Sequence, residues 1–100
     1  MKAHTKIYIK ELGYDISDFM PCELSGGLGV DIHHIVNREN RIENLMLLTR
    51  ELHSRFGEIK TAMVFHLERH REFLYTNGVK FDNNWFEEQI KRYSIYEEKS

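Results

Sequence analysis

Three histidines and an asparagine stand at spacings that could do chemistry. His33 and His34 are adjacent in Val30-Asp31-Ile32-His33-His34-Ile35-Val36. Asn44 comes ten residues after His34, within Ile42-Glu43-Asn44-Leu45-Met46-Leu47-Leu48, and His53 follows nine residues later. Imidazole titrates near neutral pH, so it can take a proton from water or hold a divalent metal through a neutral nitrogen. One ring cannot readily be ligand and free base together. Successive side chains of a strand point to opposite faces, so an adjacent pair divides the two tasks. Asp31 shares a strand face with His33. It could be a third ligand or an acceptor for the hydrogen bond of a ligand histidine.

This order of His, Asn and His in two apolar runs resembles the HNH nuclease motif, a metal-dependent site that cleaves phosphodiesters. The resemblance covers about residues 20 to 57, and the Asn-to-His spacing equals that of the colicin-type nucleases. It implies a ββα-metal fold: hairpin, loop, second strand and helix, with the cation between strand and helix. Carried over, His33 is a metal ligand, His34 the general base, and His53 a ligand projected from the helix. Asn44 fixes the base across the intervening loop, although in other branches this Asn or a neighbour binds metal. The implied cofactor is one divalent ion, Mg²⁺ or Mn²⁺ first, with Zn²⁺ or Ni²⁺ as alternatives. The implied activity is DNA endonuclease, a nickase as a monomer because one site cuts one strand, with double-strand cleavage requiring a homodimer or two events. RNA is a further possible substrate. Small free-standing domains of this kind resemble those encoded by bacteriophages and mobile elements, which implies a host-cell cytoplasm. The rival reading is an inactive ββα module that binds DNA or a protein partner.

The departures from the family carry information. Many members brace the motif with a zinc held by two Cys-x-x-Cys pairs. Here the corresponding segments read Cys22-Glu23-Leu24-Ser25 and Thr49-Arg50-Glu51-Leu52, and Cys22 is the chain's one cysteine. A Cys₄ zinc site cannot be built from this chain alone. Packing by Leu52 and by C-terminal helices must replace it. The further histidine that colicin-type members carry four residues after His53 is Gly57 here, which leaves the third ligand open.

The elements that must position these residues follow from pattern. Val30–Val36 is β-branched and reads as a strand. Asn37–Arg41 reads as an exposed polar loop. Leu45–Leu48 is helix-forming by propensity, but the resemblance implies a strand, after which Thr49 caps a short helix with Glu51 in its first turn. Thr5–Leu12 reads as a short helix capped by Thr5 and stopped by Gly13. Cys22–Gly29 reads as a short strand entering a glycine-rich hairpin turn; the glycines lack the Lys and Ser/Thr of a phosphate loop. Ile59, Met63, Leu67, Phe73 and Leu74 describe an amphipathic helix over Glu58–Tyr75, ended by Asn77-Gly78. Asp82, Asn83 or Asn84 caps a last helix with Trp85, Phe86, Ile90 and Tyr93 as its stripe, and the final Glu97–Ser100 should fray. The expected architecture is one α+β domain over residues 1–100, with the motif core at about 20–57 and C-terminal helices at about 58–97. His66 and His70, at i and i+4, could bind a metal on one helix face, or one could contact phosphate if the helix packs over the site, but without a third partner they read as surface residues. Cys22 reads as a small buried hydrophobe.

Composition bounds the rest. The chain has 100 residues, is 41% hydrophobic and carries a formal net charge of -2. That suffices for a small core and argues mildly against tight DNA binding. Residues 37–60 sum to about +1, and Arg38, Arg41, Arg50 and Arg55 are the candidate phosphate contacts. A bound divalent cation would add +2 at the site. A single cysteine suits a reducing cytosol, and no apolar run approaches the roughly 18 residues of a membrane span.

Overall fold

The computed structural model describes residues 1–56 and 59–98. Among them, four helices and one two-stranded antiparallel sheet form an α+β domain. The elements are α1 (Ala3–Leu12), β1 (Asp31–His34), β2 (Leu45–Leu48), α2 (Arg50–Phe56), α3 (Met63–Thr76) and α4 (Asn83–Glu98), with short 3₁₀ turns at Ile42–Asn44 and Lys60–Ala62. The Cα radius of gyration is 13.0 Å, close to the roughly 13 Å usual for 100 residues.

The sheet forms within the expected segments, but its first strand is shorter than Val30–Val36, because the chain bends at Ile35 and Val36 into the loop that Asn44 holds. β1 and β2 pair with Asp31 opposite Leu48, Ile32 opposite Leu47, His33 opposite Met46 and His34 opposite Leu45. All four β2 residues are buried. That explains a strand built from helix formers: tertiary burial of Leu45, Met46, Leu47 and Leu48 outweighs propensity. Thr49 caps α2, its Oγ1 accepting from the Leu52 N–H at 3.1 Å, and Leu52 packs against the core.

The segment around Cys22 differs from the expected strand. Only an isolated bridge joins Pro21 to Leu28, and Glu23–Ser25 is a turn. The reason is that Glu23 occupies the outer edge of β2 by itself. Its N–H donates to Leu47 O at 2.9 Å, and its Oε2 accepts from Leu47 N–H at 3.2 Å. One residue therefore satisfies both groups of an otherwise open edge. Gly29 is needed here because a Cβ would run into the Leu47 side chain.

The helices keep their expected places with shifted ends. α1 begins at Ala3, so Thr5 lies inside it, and its N-cap Lys2 makes no side-chain cap bond; Gly13 closes it at φ 72°. α3 begins at Met63 after the 3₁₀ turn. Its expected start, Glu58, lies outside the described residues, and Ile59 is exposed and extended, not part of the stripe. Asp82 Oδ1 caps α4, accepting from Trp85 N–H at 3.2 Å. Trp85 and Phe86 are buried, with Ile90 packed against them. α4 runs through Glu98 with no break at Glu97; Lys99 and Ser100 lie outside the described residues.

The expected exposure of His66 and His70 is incorrect, since both are buried. The i,i+4 spacing put them on one face, but that face packs inward with Leu67 and Leu74. His70 is fully enclosed. Its Nδ1 is 2.6 Å from Glu23 Oε1, and its Nε2 is 2.6 Å from Ile42 O. Both partners are oxygens, and although burial opposes the charge, Glu23 and the Ile42 carbonyl raise the His70 pKa and so favour the cationic ring with both nitrogens donating. Tyr8 completes the cluster, its hydroxyl donating to Glu23 Oε2 at 2.6 Å. This buried brace joins α1, the turn at Glu23, the turn before β2, and α3. Cys22, beside Glu23, is buried as expected.

Candidate functional site

β1 divides its two histidines as the alternation requires. His33 turns inward and is 6% exposed, and its Nε2 has no hydrogen-bond partner. His53 on α2 lies beside it, with ring centroids 5.1 Å apart. His66 on α3 closes in from another side at 5.8 Å, edge to face. Burial pushes the His33 pKa down to about 4, helped by the nearby His53, His66 and His34. Burial also lowers that of His66. The His33 ring is therefore neutral at pH 7, the state in which imidazole offers a lone pair.

Asp31 pairs with His53, its Oδ2 3.3 Å from His53 Nδ1. Asp31 Oδ1 also pairs with Arg50 Nη2 at 3.5 Å. A carboxylate on one ring nitrogen directs the other toward its partner. Among the described residues, no three His, Cys, Asp or Glu side chains already surround one point where an ion could sit. The donor types fit a metal all the same: a neutral buried imidazole with an orphaned nitrogen, flanked by two more imidazoles.

His34 lies at the end of β1 on the other face. Its Nε2 is 2.8 Å from Asn40 Oδ1. Oδ1 can only accept, so this contact calls for the proton on His34 Nε2, and in a neutral ring so held the lone pair is on Nδ1. Asn44 does span the loop, but its hydrogen bonds go to backbone and to Asn37. Its Nδ2 donates to Asn37 O at 2.8 Å, Asn37 Oδ1 at 3.1 Å and Glu39 O at 3.0 Å, while its Oδ1 accepts from Val36 N–H at 3.0 Å. Fully buried, it holds the loop in shape, and the loop presents Asn40 to His34. Sequence reasoning passed over Asn40, although an Asn in a polar loop four residues before Asn44 was a visible signal. It also passed over His4, whose ring meets the edge of His34 at 5.0 Å. Burial lowers the His4 pKa, with smaller contributions from His34 and Lys2.

A cleft of about 810 Å³ opens over these residues, lined by His33, His34, His53, Arg38, Arg55 and Lys60 among others. Arg38 and Arg55 are thus at the site, joined by Lys60, which had not been singled out. Arg50 and Arg41 lie outside the lining. Arg41 is engaged in the fold, with Nε 2.9 Å from Glu43 Oε1, further pairs to Glu39 and Asp82, and its guanidinium 5.3 Å from the centre of the Trp85 ring.

Compared with protein-family models, curated proteins and solved structures, the chain matches none. No helix among the described residues is long and apolar enough to cross a membrane.

Proposed function

We propose that the chain is a metal-dependent endonuclease of the HNH type, hydrolysing phosphodiester bonds in DNA one strand at a time. The observation that carries this reading is the division of labour along β1. His33 keeps a buried, unpartnered nitrogen in a ring that lies beside His53, while His34 at the strand end meets Asn40 through its Nε2. Both open onto one cleft with Arg38, Arg55 and Lys60.

In this reading the His34 Nδ1 takes the proton of a water as its oxygen bonds to phosphorus. The bond from phosphorus to the 3′ oxygen breaks, and that oxygen leaves with a proton from solvent. General-base help of this kind is worth about 10²–10⁴-fold. Arg38, Arg55 and Lys60 hold the phosphate and place it over the base, giving position without sequence preference. His33 and His53 would hold a divalent ion, which when bound stabilises charge on the phosphoryl and leaving oxygens. Asp31 orients His53, and Asn44 maintains the loop that carries Asn40.

The test is incubation of supercoiled plasmid with the purified chain in Mg²⁺, Mn²⁺, Ni²⁺ or Zn²⁺. Conversion to open circles that stops on chelation is expected. A folded protein that nicks with none of these ions would instead be a non-catalytic module for nucleic acid or a protein partner.

A further inference from the structure

His33 Nε2 is buried and has no hydrogen-bond partner. Leaving such a nitrogen unsatisfied costs its full desolvation, so a native fold that retains one usually has a use for it. Two other imidazoles approach the same ring, His53 from α2 at 5.1 Å and His66 from α3 at 5.8 Å between centroids. Rings sharing one ion through nitrogens at ~2.1 Å have centroids about 5 Å apart at tetrahedral angles. Aromatic packing alone gives similar separations, so distance does not decide the matter. The orphaned nitrogen does, because packing gives it nothing to bond.

His66 has the character of a ligand held in reserve. It is 3% exposed, on a helix face shared with Val64, Leu67, His70 and Leu74. His70 is held there by Glu23 and the Ile42 carbonyl, whereas an aliphatic side chain at position 66 would serve packing better. Asp31 is already engaged, with one carboxylate oxygen 3.3 Å from His53 Nδ1 and the other 3.5 Å from Arg50 Nη2. Resting on the reading that His33 and His53 face a metal, we propose that His66 is the third protein ligand. Asp31 is then an orienting partner of His53, not a ligand. A set of three imidazoles also names the class of ion. It suits Zn²⁺, Ni²⁺ or a similar first-row transition ion, and suits Mg²⁺ poorly, because Mg²⁺ favours oxygen donors. The donors do not yet converge on one point, so the rings turn inward on binding. The ion then ties α3 to β1 and α2 and raises the stability of the fold.

The experiment uses the full chain and reads metal directly. Zn²⁺, Ni²⁺ and Mg²⁺ are titrated into wild type by calorimetry, and the imidazole nitrogens are followed by long-range ¹H–¹⁵N correlation during the Zn²⁺ titration. One Zn²⁺ is expected to bind far more tightly than Mg²⁺ and to shift ring nitrogens of His33, His53 and His66 together. His66→Gln is expected to weaken Zn²⁺ by more than the roughly 10–100-fold typical of losing an outer partner, and Asp31→Asn to stay within that range. If Zn²⁺ shifts His33 and His53 while His66 stays still, His66 is a packing residue and the metal reading survives. Mg²⁺ binding as tightly as Zn²⁺ overturns the assigned ion class. No stoichiometric binding of any of the three ions overturns both readings. The spectra come from wild type, so the outcome does not depend on a variant folding.

Discussion

At the scale of single residues, the decisive contact is 2.8 Å from His34 Nε2 to Asn40 Oδ1. An imidazole can act as base only through the nitrogen without a proton, and this bond selects which nitrogen that is. Asn40→Ala should therefore lower kcat for nicking by part of the 10²–10⁴-fold that a positioned base contributes, at about 10-fold. KM should change little, because Asn40 does not hold phosphate. Single-turnover rates over a range of DNA concentration separate the two. Asn44→Ala should do more, since it opens the loop that carries Asn40 and strands the Val36 N–H. The adjacent histidines and the Asn were legible from spacing. Their wiring was not, because a hydrogen bond passed through a loop depends on backbone shape that spacing does not encode.

At the scale of elements, the strands, their connecting loop and the capped helix after them could be read, since alternation, turn residues and Thr49 each act locally. What could not be read depended on packing between distant segments. His66 and His70 share a helix face by their spacing, yet nothing local says whether that face meets solvent or core. Glu23 likewise replaced an expected strand because its carboxylate, Tyr8 and His70 meet only after α1 and α3 have docked. This cluster stands next to Cys22, and it joins four segments through one enclosed ion pair. Removing one partner of such a pair leaves a buried charge. His70→Ala is accordingly expected to cost about 3–5 kcal/mol, measured by urea unfolding. A loss below about 1 kcal/mol would show that packing alone holds α3 against the sheet.

At the scale of the whole molecule, the histidines set opposite limits on stability. His33, with its pKa pushed down to about 4 by burial and its neighbours, binds a proton more readily unfolded than folded. Its contribution is present above the ordinary value near 6.5 and is lost as pH falls from there toward 4, by roughly 3 kcal/mol. His66 acts in the same direction. For His70, burial opposes the charge, but Glu23 and the Ile42 carbonyl outweigh it and raise the pKa. Its contribution is complete below about 6.5 and is lost as pH rises through the higher folded value. Unfolding free energy against pH should therefore fall on both sides of a maximum near 6.5, and His33→Gln should flatten the acid limb. The central claim remains that His34 is the base of a phosphodiester hydrolase. It is tested most directly by the nicking rate of His34→Ala against wild type at saturating metal. A fall of about 10²–10⁴-fold with unchanged metal binding is the predicted result, and an equal rate in the two proteins would contradict it.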